Sequence, residues 1–440
     1  MTADGARPVL FASEYYPPFA PGGAEWTNAE WARALARRGQ PVVVVTPNYG
    51  AARRESAAGV DVVRVPFPRL PILMKRRSGQ VEVPALVHRN PLWNLYFTAC
   101  ITLIARRRSA RAIHAQGKGA LVAATRAARL LRLPVLATIR DLGLICPLGF
   151  CTLFEPWKTF DCSFRQYTAK CVEFSLEHYH RQAGSFRRVW LWASARLAWF
   201  GHRMLQRALR RVDAVVGVSR GILAVYPARV VPVDRRHVVY SLPPSAAIPT
   251  DEQVAGVRRA LGIGDGPLVL YVGKRSLGKG TSVFLKGLDR IRTAVPGVRF
   301  AFAGKGESAL PSGDDLHTLG VLDHTRLFPL YRAADVVVSP SVWPEPLSRV
   351  LVEAMHFGRP VVATLTGGSP EAVEDGVTGL LVPKNDAAAL ADAIIGLLRD
   401  PTRRERMGAA ARARLASLFS EDKIVASLLE AYAAAGRRPK

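Results

Sequence analysis

Glu345 and Glu353 stand with seven residues between them, inside the string Trp343-Pro-Glu-Pro-Leu-Ser-Arg-Val-Leu-Val-Glu353. Proline fixes its own φ and restricts the residue before it, so Pro344 and Pro346 place Glu345 in an extended loop. From about residue 347 the apolar Val350, Leu351 and Ala354 share one helical face, and the pattern stops before Gly358-Arg-Pro360, which sets Glu353 inside a helix. The amides of Leu347, Ser348 and Arg349 then lie at a helix N-terminus, an arrangement suited to phosphate. Gly367 and Gly368, beyond the next strand, let backbone approach a ligand closely. These residues point to a phosphorylated, hydroxyl-rich ligand, with one carboxylate for a sugar hydroxyl and the other for a ribose.

Short buried strands must position them. The apolar run at 334–341, closed by Ser and Pro, predicts a strand leading into Glu345, and 360–364 predicts the next. Upstream, Leu268-Val-Leu-Tyr-Val-Gly273 predicts a strand that feeds Lys274-Arg-Ser-Leu-Gly-Lys279. The stretch 299–306 reads as a strand followed by the glycine turn Gly304-Lys-Gly306, and 318–321 as an edge region. The amino-terminal half repeats the theme, with a strand at 9–13, a loop ending Pro-Gly-Gly23, a helix at 24–38 and a strand at 42–46. That order is a Rossmann-like start, although the loop is not G-x-G-x-x-G. Further strands are expected at 60–65, 112–115, 134–139 and 213–219, with 238–242 and Pro243-Pro244 marking the crossover, and helices at 386–399, 402–417 and 421–435.

The pair Glu345/Glu353, in its setting AADVVVSPSVWPEPLSRVLVEAMHFGRPVVATLTGGSPEAVEDGVTGLLVP, resembles the E-x7-E signature of the family 4 glycosyltransferases, which are retaining enzymes of the GT-B fold. The resemblance is strong over 268–385, clear over 8–46 and moderate over 112–147 and 212–222. It implies an α/β chain of two Rossmann-like domains facing each other across a cleft, with a C-terminal helix crossing back to the first. The expected boundaries are 1–243, an acceptor domain, 244–420, a nucleotide-sugar domain, and 421–440, the crossover helix and tail. It further implies that Glu353 binds the donor ribose, while Glu345, Gly367 and Gly368 position the donor sugar. Lys274, Lys279 and the amides at 347–349 hold the diphosphate, with Gly273, Gly304 and Gly23 lining the donor. Charge on the departing diphosphate is met by cations and amides, with no metal or cofactor required. His114, Arg140 and Asp141 fall on the acceptor side. Two departures stand out. Lys274 replaces the usual Arg, keeping the charge but losing the planar fork, with Arg275 next to it. Arg140 replaces the usual His, so an imidazole role is not carried over; an arginine there suits an anionic group.

Composition bears on partners. The 440 residues hold 61 Lys+Arg against 35 Asp+Glu, a net charge of +26, which suits nucleic acid, an anionic membrane or phosphorylated substrates. The start of the chain carries no secretory pattern, and the apolar stretch 91–105 is too short to span a bilayer, so a cytoplasmic location is expected. Between His178 and Val212 there are eight arginines and no acid. On a helical wheel Trp192, Arg196, Trp199, Arg203, Arg207 and Arg210 form one stripe, suited to an anionic bilayer at the inner face of the cell membrane. Trp190, Leu197, Met204, Leu205 and Ala208 lie opposite, as the expected core side. Cys146, Cys151, Cys162 and Cys171 fall within 26 residues, leaving a structural zinc or iron–sulfur cluster, disulfides and free thiols all open. The acceptor is expected to be a saccharide or lipid-linked saccharide of cell-surface polysaccharide or glycolipid synthesis. A basic nucleic-acid-binding protein, an epimerase or phosphorylase of the same fold, and a catalytically dead scaffold remain as alternatives.

Overall fold

The computed structural model describes residues 7–20, 22–68, 75–77, 80–83, 90–148, 162–181, 183–245, 247–264, 266–306 and 310–437. The chain divides into two compact units. Unit 1 comprises the chain to Val218, Ile222–Tyr240 and the segment from Glu421 onward; unit 2 comprises Ser219–Gly221 and Ser241–Ser420.

Unit 1 is built on an eight-stranded sheet. Its strands are β1 (Val9–Ala12), β2 (Val42–Asn48), β3 (Arg54–Ala57), β4 (Val60–Pro66), β7 (Ala112–Ala115), β8 (Val135–Ile139), β9 (Ala214–Gly217) and β10 (Arg236–Val238). They lie in the order β10-β9-β8-β7-β1-β2-β4-β3, and every pairing is parallel except β3 with β4. β1, β7, β8 and β9 are buried along their whole length, as expected for parallel strands covered on both faces. A separate hairpin pairs β5 (Lys75–Arg77) with β6 (Gln80–Glu82).

Among the described residues, helices of seven residues or more in this unit are α1 (Gly23–Arg37), α2 (Pro91–Arg107), α3 (Lys118–Leu131), α4 (Glu173–Tyr179), α5 (Ser185–Leu209) and, from the end of the chain, α12 (Glu421–Gly436). His114, at the heart of β7, is fully buried and ties α12 to the sheet. Its Nδ1 meets Tyr432 Oη at 2.8 Å and its Nε2 meets Thr138 Oγ1 at 2.7 Å. Arg37 pairs with Glu421 at the start of the same helix.

Unit 2 has a six-stranded, all-parallel sheet ordered β13-β12-β11-β14-β15-β16. The strands are β11 (Leu268–Val272), β12 (Arg299–Ala303), β13 (Leu316–Gly320), β14 (Val336–Ser339), β15 (Val361–Thr364) and β16 (Gly379–Val382). Its helices are α6 (Asp251–Ala260), α7 (Thr281–Ala294), α8 (His324–Ala333), α9 (Arg349–His356), α10 (Ala387–Leu398) and α11 (Pro401–Leu418). Phe284, Leu288 and Ile291 of α7 and Leu390, Ile394 and Leu397 of α10 pack on Phe300, Phe302, Val336 and Val338 to form its core.

Several expectations are corrected. β10 ends at Val238: Val239 N still reaches Gly217 O, but Pro243 and Pro244 beyond have no N–H to extend a ladder. β3 carries no apolar signal because all four residues are exposed. It forms because Ala58 and Gly59 both take positive φ, the two-residue turn whose twist matches a hairpin. α5 is turned over from its expected seating. Trp192 and Trp199 pack against Tyr167, Cys171, Val172 and Leu176, whereas Trp190 and Leu197 are exposed and only the far end, at Leu205 and Ala208, enters the core. Among the described residues, no helix is long and apolar enough to cross a membrane.

Tyr432→Phe removes one buried hydrogen bond and leaves His114 Nδ1 without its partner, so chemical denaturation should show a loss of about 1–3 kcal/mol.

Candidate functional site

In an open parallel sheet, ligands settle beyond the carboxyl ends of the strands, where successive connections leave in opposite directions. In unit 2 that point lies between β11 and β14, with β12 on one side and β15 on the other. The loop after β14 delivers Ser341, Trp343 and Glu345 there, and the loop after β11 delivers Lys279. Glu345 is 8% exposed. Its Oε2 accepts from Lys279 Nζ at 2.6 Å, Trp343 Nε1 at 2.9 Å and Ser341 Oγ at 3.3 Å. Burial works to raise the Glu345 pKa, but the Lys279 charge and these three hydrogen bonds outweigh it and hold the carboxyl below its ordinary range. The ammonium of Lys279 also lies 5.5 Å from the centre of the Trp343 ring.

The glycines let this loop stack. Gly367 has φ 55, and a Cβ there would collide with Glu345 O; Gly368 N donates back to the same carbonyl at 2.8 Å. Gly280, at φ 67, opens α7, where a Cβ would strike Pro340 O. Gly273 and Gly304, at φ 136 and 132, bring the ends of β11 and β12 into close approach.

α9 begins at Arg349 rather than Leu347, with Ser348 extended as its N-cap, so the first-turn amides are shifted along the chain by two residues. Pro346 holds the preceding loop extended and thereby delays the helix. Glu353 is 5% exposed, accepting from Tyr331 Oη at 2.8 Å and Arg349 Nε at 3.3 Å. Burial and then the Glu353 charge push the Tyr331 phenol well above its usual value, so it remains a donor.

Lys274 lies in the turn after β11, its carbonyl accepting from Tyr271 Oη at 3.0 Å. Beside it, Arg275 bonds through its backbone N to Lys305 O, and its buried Nε and Nη1 have no hydrogen-bond partner among the described residues. Two buried, unspent donors on a fixed cation suit an incoming anion.

Unit 1 reverses direction between β1 and β7. Beyond these strands and β8 lie Glu14, Gly23, Glu25, Gln116, Lys118, Arg140 and Asp141. Arg140 donates from Nη1 and Nη2 to Gln116 O and Oε1, both at 3.1 Å, and stacks 4.9 Å over Trp31. Arg140 Nε, Gln116 Nε2 and Asn28 Oδ1 are buried with no partner among the described residues. Asp141 pairs with Lys118 at 3.2 Å and accepts from Gly143 N at 2.6 Å. Glu25 Oε2 accepts from Gly22 N at 3.0 Å. Burial, followed by the nearby Glu14 charge, pushes the Glu25 carboxyl up to about 7, with the backbone bonds and Arg140 opposing. Three carboxylates thus offset two cations, a balance that suits sugar hydroxyls better than a free anion.

His114 is not at this edge. Both ring nitrogens are taken inside the core, and burial, helped by Arg140, lowers its pKa to about 3, so it stays neutral. Sequence reasoning passed over Glu14, Glu25, Gln116, Lys118, Tyr331 and the indole of Trp343. Glu25 had one usable signal, an acid two places after a glycine pair at a helix start.

Cys146, Cys162 and Cys171 line one cavity of about 450 Å³ with His202, Arg203 and Arg210. Among the described residues no three such side chains stand close enough to hold a metal ion, and Cys151 lies outside the described residues.

Two family models match the chain: the glycosyl transferase 4-like domain over residues 22–241, half of its length, and the glycosyl transferases group 1 over 266–400. A D-inositol 3-phosphate glycosyltransferase of Xylanimonas cellulosilytica is 36% identical over 249 residues, 51% of this chain and 58% of that protein. Spore coat protein SA of Bacillus subtilis is 34% identical over 196 residues, 40% of this chain and 51% of that protein. The chain thus spans about half the length of the curated relatives it matches. Anabaena Alr3699/HepE, solved in complex with UDP-glucose, superposes with a TM-score of 0.64 at 20% identity, covering 97% of this chain and 99% of that one. The catalytic domain of starch synthase IV from Arabidopsis thaliana, bound to ADP and acarbose, gives 0.70 at 15% identity, covering 98% of this chain and 100% of that one. At these identities the likeness establishes the fold, a GT-B architecture.

Because the folded carboxyl of Glu25 titrates near 7 and an unfolded one near 4.5, its ionisation costs stability, a cost absent below about pH 4.5 that grows as pH rises through 7. Glu25→Gln should match wild type in thermal stability at pH 4.5 and exceed it at pH 8 by about 1–2 kcal/mol, allowing for solvent screening.

Proposed function

The chain belongs to the glycosyl transferase family defined by the 4-like and group 1 domains, and from that premise we propose that it moves a sugar from a nucleotide-sugar to a saccharide or lipid-linked acceptor with retention of configuration. The observation that carries this reading is the buried cluster at the carboxyl end of β14. There a carboxylate, an ammonium and an indole N–H share one point.

The donor sits with its ribose at Glu353, held in place by Tyr331 and Arg349. Its diphosphate meets Lys279, Arg275, Lys274 and the first-turn amides of α9. The sugar lies against Glu345 and the backbone at Gly367 and Gly368. As the bond between the anomeric carbon and the diphosphate oxygen breaks, its electron pair goes to the diphosphate. The added negative charge falls where cations and amides are already fixed, so little reorganisation is required. The acceptor hydroxyl approaches from the face that the diphosphate leaves, bonds to the anomeric carbon and gives its proton to the departing diphosphate oxygen. By its chemistry, the unit 1 crevice around Arg140, Asp141 and Glu25 suits the hydroxyls of an acceptor. UDP or GDP fits as the carrier. The excess of 26 positive charges favours an acceptor presented at an anionic membrane surface.

The test is a thermal-shift and calorimetry panel of UDP, GDP, ADP and their common sugars on wild type and Glu353→Ala. One nucleotide should raise the wild-type melting temperature, and the variant should bind it about 10–100-fold more weakly, as expected for losing a hydrogen bond to a charged group. No response to any nucleotide would sink the reading.

A further inference from the structure

α5 presents two unlike faces. Leu191, Trp192, Ala195 and Trp199 pack inward against the Tyr167–Leu176 cluster. Turned the other way, at i, i+3, i+4, i+11 and i+14 spacing, stand Phe186, Val189, Trp190, Leu197 and Phe200, exposed at 88, 66, 55, 67 and 64%. These positions form one continuous stripe along the helix. Monomeric soluble proteins seldom leave so large an apolar surface contiguous and uncovered. Arginines border it, with Arg187 on one side and Arg196, Arg203 and Arg207 on the other. Arg196 is braced, its guanidinium 3.9 Å from the Trp192 ring and 5.3 Å from that of Phe164.

We propose that α5 lies in the plane of an anionic lipid surface, with Phe186, Val189, Trp190, Leu197 and Phe200 inserted among the acyl chains and the bordering arginines on lipid phosphates. The seating of the helix selects this occupant. A second copy of the chain would bring the same arginines against themselves, and a net charge of +26 adds to that repulsion. Nucleic acid would meet the arginines but leave the apolar stripe in water. A surface that is anionic at its skin and apolar beneath satisfies both features. The face is the reverse of the one that the arginine–tryptophan pattern suggests, because Trp192 and Trp199 are occupied inside the unit. The inference deepens the proposed transferase reading by naming the surface at which a lipid-linked acceptor is met, yet vesicle binding is measured without any sugar donor.

Full-length protein is tested by flotation with phosphatidylglycerol-containing and pure phosphatidylcholine vesicles, at low and at molar salt, with quenching by lipids brominated on the acyl chain. Wild type should float with the anionic vesicles and keep a salt-resistant fraction, because insertion is apolar as well as ionic. Val189→Glu with Leu197→Glu should reduce the bound fraction about tenfold or more with an unchanged melting temperature, since both side chains are already exposed. Trp190→Phe should lose most of the brominated-lipid quenching, whereas Trp192→Phe should retain it. Absence of flotation at low salt, quenching that survives Trp190→Phe, or a dimer that Leu197→Glu dissociates would each overturn the inference. A nucleotide-induced thermal shift that persists without vesicle binding would overturn the docking face alone. Vesicle binding without any nucleotide response would overturn the transferase reading alone.

Discussion

A buried charge survives only if another charge or a set of hydrogen bonds compensates it, and in unit 2 that requirement falls on Glu345. Its carboxylate has lost nearly all contact with water, and Lys279, Trp343 and Ser341 replace that solvation from three points of the chain. Much of the local backbone follows. Pro344 and Pro346 hold the loop extended, Gly280 and Gly367 give way where a Cβ would collide, and Gly368 ties the second loop to Glu345 O. The sheet contributes the place: β11 and β14 are neighbours whose connections part in opposite directions, which leaves room above their ends. The Lys279 side chain nevertheless remains 27% exposed and able to meet a ligand.

The two units solve related problems with different chemistry. Unit 2 gathers cations and amide donors around few carboxylates, which suits a diphosphate. Unit 1 sets Glu14, Glu25 and Asp141 against Arg140 and Lys118, with Gln116 and Asn28 holding unspent buried groups, which suits hydroxyls. Arg140 illustrates the limit of reading a residue by its type. Its terminal nitrogens, which by charge alone would bind an anion, already serve the Gln116 carbonyl and amide.

The alternation of apolar runs and glycine turns made both parallel sheets legible, because buried strands in such sheets are nearly all apolar and their ends carry the chemistry. The E-x7-E spacing likewise located both glutamates at the β14 end and on α9. What was hidden depended on contacts between distant segments. Both faces of α5 carry tryptophan, and only the cluster at 167–176 decides which is covered. His114 looks the same in sequence whether it meets Tyr432 or a substrate. β3 has no apolar pattern and owes its existence to a turn. Glu25 becomes unusual only when the fold buries it, with Glu14, 11 residues away in sequence, adding to the shift.

We propose that Glu345 holds the Lys279 ammonium in place and so bears on the donor diphosphate through it, and a double-mutant cycle measures that directly. Calorimetry would give the affinity of whichever of UDP, GDP or ADP binds, for wild type, Lys279→Ala, Glu345→Gln and the double variant. Residues that share one ligand site and one buried hydrogen bond should show a coupling of about 1–3 kcal/mol, with each single change weakening binding. Effects that add to within about 0.5 kcal/mol, or a Lys279→Ala protein that binds as wild type does, would contradict the account.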